Sequence, residues 1–173
     1  MILRKAALCA TPLPFLRIDK GSAKKGSAMY KNILIPTDGS LLSAAAVEQA
    51  MAFARDAGAK VTLLTVVEPF HLLTTDAEQL TDTRAEYEAH ARRRAAGFLS
   101  SASNVARVNG VPYETVQVVD EEPYRAIIDT AKERGCDLIA MGSHGRGGVA
   151  AVVLGSVTQK VLTHSTIPVL VYR

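Results

Sequence analysis

The sequence predicts an α/β fold: a doubly wound, five-stranded parallel sheet with helices on both faces. Three observations carry this. Short apolar runs halted by proline, glycine or a turn recur five times, as buried parallel strands do. Stretches with apolar residues at helical spacing separate them, so strand and helix alternate. A crossover of that kind lays its helix over the sheet with a fixed hand, which leaves few arrangements.

The elements follow in order. Asn32-Ile-Leu-Ile35 is a short apolar strand ended by Pro36. Thr37-Asp-Gly-Ser40 is a turn with ready helix caps, and a helix runs from Ser40 to Ala57, closing near Gly58. Val61 to Val67 is a second buried strand, stopped by Glu68-Pro69. Residues 70–82 read as irregular, a loop or a lid. From Thr83 to about Val108 the chain is strongly helical, with Arg84, Glu88 and the Arg92-Arg93-Arg94 run on solvated faces. Tyr113 to Val119 alternates and reads as a strand nearer an edge. Pro123 opens a helix to Arg134, with proline in its first turn. Leu138-Ile-Ala-Met141 is the fourth strand, Gly155 to His164 the last helix, and Pro168-Val-Leu-Val171 the fifth strand.

Composition narrows the class. A 173-residue chain fits one domain with enough length to bury a core. Its 48% hydrophobic and 21% charged content reads as soluble and globular, and no apolar run is long enough to span a membrane. Residues 1–28 carry six basic side chains against Asp19 alone, a net of +5. The whole chain carries +3, so residues 29–173 carry −2 and offer no basic surface for nucleic acid. The leader, with Pro12, Pro14 and a Gly-Ser-Ala-Lys-Lys-Gly-Ser-Ala run, reads as a flexible extension, and Met29 as the natural start of the domain 29–173. Cys9 and Cys136 have neither metal nor disulfide spacing, which fits a cytoplasmic protein. His71, His90 and His164 have no partners at ligand spacing, so no structural metal site is expected.

One stretch carries chemistry. Met141 ends strand four and leads into Gly142-Ser-His-Gly145; nine residues later Gly155-Ser156 opens the last helix. Glycines let a backbone turn tightly and approach a ligand. The free N–H groups and dipole of the helix start favour phosphate. Glycine at both ends of so long a connection is more than a turn needs. The loop lacks the Gly-Lys-Ser/Thr of a Walker A sequence, and lies too late in the chain for the dinucleotide fingerprint. Ser156 is placed to cap the helix or to bind an anion. In doubly wound sheets, ligands sit outside the carboxyl ends of the strands where strand order reverses. If strands one and four are neighbours, Pro36-Thr37-Asp38, Val66-Val67 and the glycine loop share one crevice. On residue type, Asp38 reads as a ligand acceptor, with a helix cap as the alternative. His144 and Arg146 read as phosphate neighbours or as solvated loop residues.

Together these residues resemble the universal stress protein family over roughly Met29 to Arg173. The resemblance rests on Lys31 to Ser40, Leu63-Leu-Thr-Val-Val67, Met141 to Gly145, Leu154-Gly-Ser156 and Pro168-Val-Leu-Val171. The ATP-binding subgroup carries glycine, two residues, glycine, nine residues, glycine and serine or threonine, as here. The implied fold is Rossmann-like with strand order 3-2-1-4-5. The resemblance implies that Asp38 holds the ribose or adenine side, with Pro36 and Thr37 shaping the wall. It implies that the Val66 backbone meets the adenine edge, and that Gly142 and Gly145 bring amides near ribose and phosphates. Gly155, Ser156 and Val157 would cup the phosphates, assisted by Thr158. Mg²⁺ would accompany ATP, or another adenine nucleotide, through the phosphates and water. A homodimer through strand 168–172 is implied too, and an apolar edge strand invites such pairing.

The expected function is a cytoplasmic ATP-binding regulatory stress-response protein. No general base and no Walker lysine is present, so no catalytic residue is expected and ATP hydrolysis is slow at most. Two alternatives stand beside it. One is a nucleotide hydrolase or self-phosphorylating enzyme with Ser143, Ser156 or Thr158 as acceptor; the other is a dimeric adaptor with a vestigial pocket. The sequence names no protein partner.

Overall fold

Leu34 and its two neighbours set the architecture. Strand side chains alternate between faces, and the first strand, β1 (Asn32–Pro36), is buried on both. Ile33 and Ile35 enter one apolar layer, whereas Leu34 enters the opposite one. The computed structural model describes residues 29–69, 77–145 and 154–173, with backbone alone for 77–83.

Eight further elements complete the described chain: α1 (Leu41–Ala57), β2 (Lys60–Val67), α2 (Ala77–Asn109), β3 (Tyr113–Val119), α3 (Pro123–Glu133), β4 (Leu138–Gly142), α4 (Ser156–His164) and β5 (Val169–Tyr172). All four strand pairs are parallel, in the order β3-β2-β1-β4-β5. The expected doubly wound fold and strand order therefore hold.

Each face has its own helices. In α1, Val47, Ala50, Met51 and Ala54 recur at helical spacing and pack with Leu99, Ala102 and Ala106 of α2 over Ile33, Ile35, Val61 and Leu63. On the other face, Ile127, Ile128 and Ala131 of α3 and Val161 of α4 cover Leu34, Leu64, Ile139 and Met141. The edge position expected for β3 is observed, and its side chains alternate between exposed and half-buried.

Polar groups tie down the amino end of the sheet. The Asp137 carboxylate accepts from the backbone N–H of Lys31 (2.8 Å) and Asn32 (3.1 Å), joining the entries of β4 and β1. The fully buried Thr62 Oγ1 lies 2.9 Å from Glu114 Oε1 and 3.2 Å from Asn32 Oδ1. Cys136 sits beside this network, and burial pushes its thiol pKa up.

One expectation needs correction. The stretch 70–82 was expected to be irregular, yet α2 is already helical from Ala77, and 70–76 lie outside the described residues. Ala77-Glu-Gln-Leu80 contains good helix formers and neither glycine nor proline. The turns that follow have little core to face: Arg84 to Tyr87 are exposed, and Ala91 is the first α2 side chain described as buried. Apolar periodicity is weak in a helix segment whose described residues are largely exposed.

Candidate functional site

Strand order reverses between β1 and β4, whose outward neighbours are β2 and β5. Beyond the carboxyl ends of these two strands lie the Thr37–Ser40 turn and the start of the glycine loop. This is where open α/β sheets place ligands.

Hydroxyls build the Thr37–Ser40 turn. The Thr37 N–H donates to Leu64 O (2.8 Å) and the buried Thr65 Oγ1 donates to Thr37 O (3.0 Å), so β2 holds the end of β1. Ser43, on the buried face of α1, donates its hydroxyl to Thr37 Oγ1 (3.0 Å) and accepts from the Asp38 N–H (3.3 Å). Ser40 is the N-cap of α1, its hydroxyl accepting from the Ser43 N–H at 3.2 Å. Asp38 Oδ1 accepts from the Ser40 N–H (3.0 Å), which closes an Asx turn. Helix cap and carboxylate are thus separate residues here: Ser40 caps, and Asp38 is held with its second oxygen turned to the glycine loop.

That loop comes directly against Asp38. A Cβ on Gly145 would stand 2.5 Å from Asp38 Oδ2, a separation that real side chains do not adopt. Gly145 is itself exposed, so the bend is open to solvent. Gly142 sits close to α1, where a Cβ would lie 3.5 Å from Leu42 O and from Ala46 Cβ. The two ends of the connection meet: the Gly155 N–H donates to Ser143 O at 2.8 Å, and Thr158 Oγ1 donates to Gly142 O at 3.0 Å. The Ser143 N–H donates to Tyr172 O (2.8 Å), which fixes the loop start to β5. Arg146, Gly147 and Gly148 lie outside the described residues.

The start of α4 differs from expectation in three details. Gly155, not Ser156, occupies the N-cap position, and no side chain caps the helix. The Gly155 amide is already committed to Ser143 O, so the amides left for an anion are those of Ser156, Val157 and Thr158 in the first turn. Thr158 is buried with its hydroxyl on Gly142 O, which makes it a loop anchor. Ser156 is exposed. His144 lies beside Gly155, with its Nδ1 3.1 Å from the buried Ser143 Oγ.

Val66 faces the gap beyond β1. Leu64 O bonds toward β1, and Val67 O accepts from the Asp120 N–H on the β3 side (3.1 Å). Alternation therefore turns the Val66 peptide groups toward β1, past its end at Pro36. The Val66, Met141 and Val157 side chains belong to a single apolar layer, Met141 buried and the other two partly so. Pro36 is half-buried and Thr37 buried. Every expected site residue is thus at or beneath the carboxyl end of β1, β2 or β4, or in the first turn of α4. Ser43 and Thr65 were missed. A serine at a core-facing position of α1 and a threonine inside an apolar strand were the available signals, since a buried hydroxyl must find a partner.

Among the described residues, no three His, Cys, Asp or Glu side chains gather as a metal site, and no helix is long and apolar enough to cross a membrane.

Fold and site together define a doubly wound α/β domain whose glycine loop meets the Thr37–Ser40 turn at the topological switch point. The universal stress protein family model matches residues 29–173, and the chain belongs to that family. It is 31% identical over 150 residues to universal stress protein MJ0531 of Methanocaldococcus jannaschii, covering 87% of this chain and 86% of the relative. Among solved structures, hypothetical protein MJ0577, also of Methanocaldococcus jannaschii, superposes with a TM-score of 0.69 at 30% identity, covering 83% of this chain and 95% of that one. A universal stress protein solved in complex with cAMP superposes with a TM-score of 0.59 at 28% identity, covering 83% and 97%.

Proposed function

We propose that this chain is a cytoplasmic regulatory stress-response protein that binds ATP, with Mg²⁺ carried by the phosphates. The observation that carries this reading is the close approach of Gly145 to Asp38, where a side chain would fill the space. A carboxylate oxygen there suits ribose hydroxyls, and the gap by Val66 suits the flat edge of a base. The first-turn amides of α4 suit phosphate. The relative solved with cAMP supports an adenine nucleotide as the ligand class. Gly142 and Gly145 let the loop backbone approach the nucleotide, Gly155 closes the loop, and Ser156 and Val157 present amides to the phosphates. No residue is assigned to catalysis, and hydrolysis is slow at most. Of the candidate phosphoryl acceptors, Ser143 and Thr158 are buried with their hydroxyls engaged, and only Ser156 is exposed.

Calorimetric titration with Mg²⁺ and ATP tests the reading, together with mass analysis of small molecules released from the purified protein. Asp38→Asn sharpens it. Asparagine keeps the Oδ1 acceptor for the Ser40 N–H but replaces the second anionic oxygen with a donor. Hydrogen bonds to a charged acceptor contribute about 1.5–3 kcal/mol, so affinity should fall roughly tenfold or more while the turn persists. A wild-type protein that gives no heat with ATP, ADP or AMP would remove the proposal.

The homodimer through residues 168–172 belongs to the same proposal. β5 is an edge strand, and Val169, Leu170, Val171 and Tyr172 are only half-buried in one copy of the chain. A second copy pairing along this edge would cover them. Sedimentation at micromolar concentration should show a dimer, and a purely monomeric boundary counts against it.

A further inference from the structure

We propose that Phe98 of α2 is a positioning residue for the nucleotide site, an inference that rests on the function just proposed. Gly39 follows Asp38 directly and has φ +77°, the left-handed region. A Cβ built on it would collide with Cδ1, Cε1 and Cγ of Phe98, so the ring is seated on the Gly39 backbone. The Gly39 N–H reaches Thr37 Oγ1 at 3.4 Å, a long contact. Packing by the ring therefore limits how the Asp38–Gly39 unit moves, and with it the carboxylate facing Gly145.

The same helix touches the other wall of the crevice. Ala91 and Ala95 share a small buried cluster with Val67, the residue after Val66. Positions 91, 95 and 98 fall at i, i+4 and i+7, one face of α2. That face thus rests on the residue after the proposed ribose acceptor and on the residue after the proposed adenine contact. Residues 77–90 of α2 precede this contact, about 20 Å of helix at 1.5 Å per residue. A nucleotide that fixes Asp38 and Val66 fixes the seat of α2, and a displaced α2 disturbs both.

Three substitutions and three readouts test the proposal. Phe98→Ala should weaken Mg²⁺–ATP binding roughly tenfold, and Phe98→Tyr, which keeps the ring, should bind like wild type. Leu99→Ala is the control for a merely structural role. Leu99 is adjacent but buried in the α1–α2 core layer, whereas the ring that meets Gly39 is that of Phe98. It should lower the unfolding midpoint at least as much as Phe98→Ala and leave affinity within twofold of wild type. The third readout is amide hydrogen exchange without nucleotide, where Phe98→Ala should speed exchange at Gly39 and Ser40. If Phe98→Ala does not fold, Phe98→Leu takes its place with the same expected direction. ATP affinity within twofold of wild type for Phe98→Ala (or for Phe98→Leu in its place), or an equal loss in Leu99→Ala, overturns the proposal. If the wild type binds no ATP, the functional reading fails separately and the proposed role falls with it; exchange then reports only whether the ring holds the turn.

Discussion

Gly145→Ala is expected to cost most of the nucleotide affinity and little of the stability. Gly145 is exposed, and it is not among the glycines with positive φ, so the backbone there accepts a side chain without conformational strain. The cost comes from one encounter, since the added methyl would stand 2.5 Å from Asp38 Oδ2. One of the two must move. If the carboxylate rotates away, Oδ1 leaves the Ser40 N–H and the Asx turn opens. If the loop retreats, the bend no longer reaches the crevice. Either way the proposed ribose acceptor and the loop are no longer juxtaposed, and the methyl occupies the space proposed for the nucleotide. Losing bonds to a charged acceptor at about 1.5–3 kcal/mol predicts a loss of roughly ten- to a hundredfold in ATP affinity. Calorimetric titration beside a thermal melt separates the two effects. Wild-type affinity in Gly145→Ala would show that the contact with Asp38 has no part in binding.

How much of this was legible in the sequence depends on the range of the interaction. The strands were legible because β1 and β4 are buried on both faces and so read as continuous apolar runs. The edge position of β3 was legible because half-burial leaves an alternating pattern. The glycine spacing from Gly142 to Gly155 marked the loop, since its ends must meet closely, and Gly155 indeed bonds Ser143. The division of roles within the site was less legible. Asp38, Ser40 and Ser43 are all cap-competent by residue type, and only the hydrogen bonds assign the cap to Ser40 and the brace to Ser43. The start of α2 was missed because the turns at 84–87 are exposed and carry little apolar periodicity. The seat of Phe98 on Gly39 had no local signal at all. It joins residues far apart in sequence, and an aromatic residue within a long helix announces only that it packs somewhere.

Gly39→Ala is expected to lower stability, and its cost has two separable parts. A left-handed φ costs a non-glycine residue about 1–2 kcal/mol. The new Cβ also meets the Phe98 ring, including Cγ at 2.7 Å, so the whole ring must move rather than its tip alone. Fully exposing a phenylalanine costs about 1.5–3 kcal/mol, and Phe98 is only half-buried, so about 1 kcal/mol is appropriate. The total of about 2–3 kcal/mol corresponds to a fall in melting temperature of roughly 5–10 °C for a domain this size. A double-mutant cycle with Phe98→Ala separates the parts. Once the ring is absent, Gly39→Ala carries only the backbone cost, so the double variant should be more stable than the sum of the singles predicts, by about 1 kcal/mol. Strict additivity would mean that the ring yields freely to the new methyl. An unchanged melting temperature in Gly39→Ala alone would mean that the turn does not need its left-handed residue, and the geometry that presents Asp38 to the glycine loop would lose its physical basis.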